Sequence, residues 1–282
     1  MSLENSSSKV LETNEETGIP KCFSEILDDA IQLDYVGMHG KTPSVNAYRV
    51  YTIMSLIGKL KNIGLYSIVD KVYFYNGSHW KSLDKGIISG YLSKLSLKYG
   101  VPIVIAKDYK FIDELYKQFT SECGVICKKI YLDIAQLNLG NGTLKVENGE
   151  RKMFPYSKED YFYYTLGFNY DANAKCLLFD KFLCQSIPNQ ELQDIVAEYL
   201  GTIFIPNQAN TFQSEKFLAM QGKGSNGKGV LTKILTALFG KENVTSFGLD
   251  DLTDTQGNSR AMIENKLLNI ASETGRKLND NN

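Results

Sequence analysis

Gly222-Lys223-Gly224-Ser225-Asn226-Gly227-Lys228-Gly229 is the stretch on which the reading of this chain turns. Its glycines let the backbone curl so that N–H groups converge on phosphate oxygens. A helix starting at the end of such a loop adds a favourable field for anions. The apolar run at 217–220 predicts a buried strand leading in. Beyond the loop, Val230, Leu231, Ile234, Leu235, Leu238 and Phe239 recur at helical spacing, and Gly240 supplies a stop. Strand, glycine loop and helix together form a phosphate-binding loop, in which Lys228 reaches the terminal phosphates of a nucleotide. The usual pattern places Ser or Thr after the lysine, whose hydroxyl binds magnesium; Gly229 stands there instead. A glycine-rich turn that only caps a helix is the alternative.

Nucleotide hydrolysis also needs a carboxylate at the end of a neighbouring strand, to hold magnesium or orient water. Leu267-Leu-Asn-Ile-Ala-Ser-Glu273 has that form, an apolar strand closing on Ser272 and Glu273. With Gly229 lacking a hydroxyl, magnesium would depend on water, Glu273, and Ser225 or Ser272. An ordinary strand with a solvated Glu at its end is the competing reading.

Upstream, the residues from 44 to 60 fit a helix through Val45, Tyr48, Thr52, Leu56, Ile57 and Leu60. The residues from 69 to 80 read as a hairpin turning at Asn76-Gly77. Asp84 caps a predicted helix carrying Ile87, Ile88, Tyr91, Leu92 and Leu95, closed by Gly100. A short β-like run follows at 102–106, then a helix over 108–121 with Phe111, Ile112, Leu115 and Phe119 on one side. From 129 to 170 the turn signals Asn141-Gly142 and Asn148-Gly149 predict an antiparallel meander. It includes an aromatic concentration at Tyr161, Phe162, Tyr163, Tyr164, Phe168 and Tyr170. Such residues can stack on single-stranded bases, although aromatics in strands more often face a core. Helices are expected at 175–184 and 189–200, the second capped by Asn189 and stopped by Gly201. The polar stretch 206–213 is the expected domain boundary.

The chain has 282 residues and a formal net charge of −1, so it is no polycation. Any nucleic-acid contact must come from local patches such as Lys81, Lys85, Lys94 and Lys98, for which a solvated helix face is the bland reading. Five scattered cysteines, Cys22, Cys123, Cys127, Cys176 and Cys184, point to a reducing, cytoplasmic setting. Cys123 and Cys127 with His39 and His79 would make a zinc site only if distant segments converged. No stretch approaches the roughly 20 apolar residues of a membrane span. The first twenty residues, rich in Ser, Glu, Asn and Thr, read as a disordered leader, and 275–282 as a terminal loop.

The runs FLAMQGKGSNGKGVLTKILTALFG, NVTSFGLDDLTD and RAMIENKLLNIASETG resemble the superfamily 3 helicase domain of phage and plasmid primase-helicases, relatives of poxvirus and satellite-phage replication proteins. The upstream runs VYFYNGSHW, LNLGNGTLKV and LQDIVAEYLG resemble the accessory domain preceding that helicase. The resemblance implies an α+β accessory domain at 21–205, followed at 214–282 by the start of an α/β P-loop (AAA+-like) NTPase domain. It implies ATP and Mg2+ as ligands. Gly222, Gly224, Ser225, Asn226, Gly227, Lys228 and Gly229 would hold the triphosphate, and Glu273 would be the catalytic and metal-binding acid. Arg260 matches a basic position before the second motif. DNA would be the partner and a homo-oligomeric ring the assembly. The family's later sensor residue and arginine finger find no match, so weak turnover is expected, since the finger is worth about 10³–10⁵ in rate. A non-catalytic DNA- or partner-binding assembly module is the other functional class. A small-molecule kinase would need a lid and an acceptor pocket for which these residues leave no room.

Overall fold

The computed structural model describes residues 19–61, 63–124, 134–205, 216–222, 226–253 and 257–271. The chain divides into two compact units, Met1–Lys129 with Ser157–Phe162, and Ile130–Tyr156 with Tyr163–Asn282.

In the first unit, helices α1 (Lys21–Asp28), α2 (Tyr35–His39) and α3 (Val45–Lys59) precede strands β1 (Leu65–Ile68), β2 (Lys71–Tyr75) and β3 (Trp80–Leu83). Helices α4 (Lys85–Lys98), α5 (Ile103–Ala106) and α6 (Tyr109–Glu122) follow. Four of these helices start where a short polar side chain satisfies an otherwise orphaned N–H, α2 through Asp34, which accepts from the Gly37 amide at 2.9 Å. Ser44 accepts from the Ala47 amide at 3.2 Å, Asp84 from Ile87 at 3.0 Å and Asp108 from Phe111 at 2.9 Å. Helix α6 packs against both α3 and α4. Ile53, Leu56, Ile88, Leu92, Leu115 and Phe119 meet in the core, joined by Val72 and Phe74 from the sheet. Each such side chain contributes about 1.5–3 kcal/mol by leaving water.

The strands form an antiparallel sheet in the order β1-β2-β3. The hairpin expected at 69–80 is present as β2 and β3, with Gly77 at φ 103° in the turn. Asn76 Oδ1 accepts from the Ser78 and His79 amides there. Strand β1 was not expected, because its turn is Val69-Asp70, both at positive φ (46° and 61°) without a glycine. Tyr116 Oη donates to the Asp70 carbonyl at 2.5 Å and holds that turn. The β-like run at 102–106 is instead helix α5: Pro102 presets the first turn, and its carbonyl accepts from Ile105 and Ala106.

His79 is held by its neighbours, its Nδ1 lying 2.9 Å from Ser78 Oγ. Burial, with a smaller push from Lys81, lowers the imidazole pKa from 6.5 to about 4. The folded ring therefore stays neutral where the unfolded ring already takes a proton. The resulting stability is complete above pH 6.5 and is lost as pH falls towards 4. Between pH 7 and 4.5 this one group should cost about 2–3 kcal/mol. Trp80, the chain's single tryptophan, lies in this unit and reports its unfolding. Urea titrations followed by Trp80 fluorescence should show a markedly smaller acid loss for His79→Asn than for the wild type; equal losses would contradict the burial argument.

The segment 157–162 also belongs to this unit. Trp80 Nε1 donates to the Lys158 carbonyl at 2.9 Å, its amide donates to Phe162, and Tyr161 stacks on its ring at 6.1 Å.

The second unit opens with the expected meander, β4 (Ala135–Leu139), β5 (Gly142–Glu147) and β6 (Glu150–Phe154), antiparallel in that order. The meander ends at Phe154, short of 170. The aromatic run beyond it is irregular backbone rather than strand. Tyr164 and Tyr170 pack against the second core while Phe168 is exposed.

Helices α7 (Leu177–Ser186) and α8 (Gln190–Thr202) follow, α8 capped by Asn189 as expected. Gly201 lies inside α8 rather than ending it. Then come α9 (Lys228–Phe239), β7 (Val244–Thr245), α10 (Leu249–Thr253), α11 (Asn258–Met262) and β8 (Leu268–Asn269). The short strands β7 and β8 pair in parallel. The described residues are thus a mixed α/β chain with small antiparallel sheets and one short parallel pair. The boundary expected at 206–213 lies outside the described residues.

One core unites the second unit. Leu139, Leu144 and Leu166 from the meander and its exit pack with Leu231, Leu235 and Phe239 of α9. Phe204 stacks on Phe239 at 5.8 Å. Asn243 Nδ2 donates to the Phe239 carbonyl at 2.8 Å and to the Thr165 carbonyl at 3.3 Å. The stripe on α9 is narrower than expected, with Val230 and Leu238 largely exposed.

Candidate functional site

The glycine stretch enters α9 through Gly227, whose φ of 87° is left-handed backbone that an L side chain adopts only with strain. The Gly227 carbonyl accepts from the Val230 and Leu231 amides, closing the first turn. The N–H groups of Lys228 and Gly229, at the start of the helix, precede any intrahelical acceptor and carry its positive end.

Lys228 bends back over this turn. Its Nζ donates to the Gly222 carbonyl at 2.8 Å and to Asn226 Oδ1 at 2.8 Å. An ammonium carries three donors; among the described residues the third meets no acceptor, and it can serve an anion. A Cβ at Gly222 would lie 1.9 Å from Asn226 Nδ2 and 3.4 Å from Lys228 Nζ, so a side chain there would displace the ends of both. Gly222 and Asn226 therefore meet the Lys228 ammonium at the head of α9. A Cβ at Gly229 would meet nothing within 4 Å, so the missing hydroxyl is not enforced by crowding.

Gly224, Ser225, Ser272 and Glu273 lie outside the described residues. The strand expected at 217–220 is absent: those residues are irregular, and Phe217 is 77% exposed. Among the described residues no strand pairs with this apolar run, and Met220 touches the second core. The strand expected before Glu273 is present as β8, shorter than its apolar run. Asn269 locks it: Oδ1 accepts from Thr245 Oγ1 and the Phe247 amide, and Nδ2 donates to the Phe247 carbonyl.

Two residues beside the loop carried no sequence signal. Ser186 and Phe182, one turn apart on α7, face Gly227; a Cβ on that glycine would lie 2.5 Å from Ser186 Oγ and 3.3 Å from a Phe182 ring carbon. Periodicity predicts the helix but not the loop it abuts.

Among the described residues the other candidates do not assemble. Burial pushes the Cys123 thiol up to about 12 and the Cys22 thiol up to about 11, so neither is poised as a thiolate. Cys127 lies outside the described residues. Among those described, no group of three or more His, Cys, Asp or Glu side chains could hold a metal ion. Lys85 is engaged, pairing with Asp113 at 3.0 Å and lying over the Tyr116 ring. Arg260 is exposed on α11. No described helix is long and apolar enough to cross a membrane.

Residues 56–187 match the family model described as D5 N terminal like. Residues 220–282 match a family of unknown function (DUF5906). The first match supports a relation to phage- and plasmid-type primase-helicases and so a link to DNA replication. No curated protein matches the chain.

Proposed function

We propose that this chain is the ATP-dependent DNA helicase portion of a phage- or plasmid-type primase-helicase, in which residues 222–229 grip ATP. The observation that carries the reading is the Lys228 ammonium gathered between the Gly222 carbonyl and Asn226 Oδ1 at the start of α9. Exchange of either contact for a phosphate oxygen keeps the ammonium satisfied, so the loop is prepared for an anion before one arrives. The amides at the head of α9 add donors aimed the same way. Glu273 would complete the site, holding Mg2+ through its carboxylate and orienting water for attack on the terminal phosphate. DNA as substrate, a ring-forming homo-oligomer as the working assembly and a cytoplasmic setting follow from the same family reading.

The test is hydrolysis and strand separation by the wild type and Glu273→Gln, with and without DNA. Slow ATP hydrolysis that DNA stimulates and that Glu273→Gln abolishes is expected, while ATP binding persists. Wild-type ATP binding with neither hydrolysis nor strand separation would replace the motor with an assembly module.

A further inference from the structure

Resting on that nucleotide reading, we propose that α7 is a clamp on the phosphate loop, with Ser186 and Phe182 acting as positioning residues that hold Gly227 in its left-handed conformation.

The geometry is specific. Gly227 is the hinge between the loop and α9, and its φ of 87° sets the direction in which the helix amides point. On the side where a side chain would project, the space is filled by Ser186 Oγ, Ser186 Cβ and the Phe182 ring, at 2.5, 3.1 and 3.3 Å from an ideal Cβ. Ser186 and Phe182 are four residues apart, so they share one face of α7. The Phe182 ring is anchored in turn: it is half-buried against the second core, and Phe179 lies beside it at 6.4 Å. Gly227 therefore does not stand free at the head of α9; the last turn of α7 backs it.

The consequence is coupling. A nucleotide that draws Lys228 and the α9 amides inward restrains Gly227, and the seat of α7 against that glycine tightens with it. By reciprocity, anything that unseats the end of α7 lowers nucleotide affinity. The segment that matches the D5 N-terminal-like family reaches residue 187 and so includes the whole clamp. Nucleotide occupancy is thereby communicated to that region through a direct packing contact.

The experiment uses the full chain. Ser186→Leu enlarges the side chain against Gly227, Ser186→Cys nearly preserves its size, and Lys228→Ala removes the anchoring cation. ATP affinity is measured by fluorescent-analogue titration, and amide exchange at 182–187 with and without saturating ATP. Ser186→Leu should bind ATP about tenfold more weakly with the urea midpoint of the ATP-free chain unchanged, and Ser186→Cys should bind within about twofold of the wild type. ATP should slow exchange at 182–187 by about threefold or more in the wild type and not in Lys228→Ala. Wild-type ATP binding with unaltered exchange at 182–187, or with equal affinity in Ser186→Leu, overturns the clamp and leaves the nucleotide site standing. Absence of ATP binding by the wild type overturns both.

Discussion

Phe239→Ala should destabilise the second unit by about 3–5 kcal/mol, the range for deleting a buried aromatic ring whose cavity cannot collapse. Phe239 is 2% exposed and closes the C-terminal end of α9. It meets Phe204 in a stacked pair, and its carbonyl accepts from Asn243, which also reaches Thr165. Removing the ring therefore takes away the stacking partner of Phe204 and opens a cavity in the core that Leu139, Leu144 and Leu166 share with α9, while the backbone carbonyl that Asn243 binds remains. The two units can be read separately. Trp80 fluorescence follows the first unit, while amide exchange in β5 follows the second. The midpoint from Trp80 should be unchanged and protection in β5 should collapse; intact β5 protection in Phe239→Ala would show that α9 is not part of that core.

Gly227→Ala should lower ATP affinity by at least about tenfold, through two independent costs. Left-handed backbone costs a non-glycine residue about 1–2 kcal/mol. The added methyl also lands within van der Waals contact of Ser186 and Phe182, so the chain must shift the hinge or push α7 away. Either response turns the α9 amides and Lys228 from their shared target. The core of α9 begins at Leu231, one turn on, so the fold should survive with circular dichroism close to the wild type.

Much of the local structure is legible in the sequence. The helix starts at Ser44, Asp84, Asp108 and Asn189 are marked by side chains that cap backbone amides, and the turns at Asn141-Gly142 and Asn148-Gly149 by residues tolerant of positive φ. Helix α9 is announced by its own spacing. What misleads is local composition without tertiary context. Ile103 and Val104 have strand-forming side chains, yet Pro102 and the absence of a paired neighbour make them a helical turn. The aromatics at 161–170 look like strand but serve as irregular packing: Tyr161 against Trp80, and Tyr164 and Tyr170 against the second core. β1 is hidden because Val69 and Asp70 make a turn that composition does not advertise.

The site is legible only in part, for a different reason. The glycines, Asn226 and Lys228 are contiguous, so their convergence is inherent in a tight loop. Ser186 and Phe182 reach Gly227 through tertiary packing alone. Neither the spacing on α7 nor that on α9 indicates that the two helices meet. Likewise the stripe Leu231, Leu235 and Phe239 shows that α9 is buried on one side but not that Leu139, Leu144 and Leu166 cover it.

Equilibrium binding of ATP to the purified chain and to Lys228→Ala tests the central claim most directly. With the ammonium that Gly222 and Asn226 hold removed, the account predicts saturable binding by the wild type and a loss of about a hundredfold or more in the variant, with the same melting temperature in the absence of nucleotide. Equal retention of ATP by both proteins, or by neither, would contradict it.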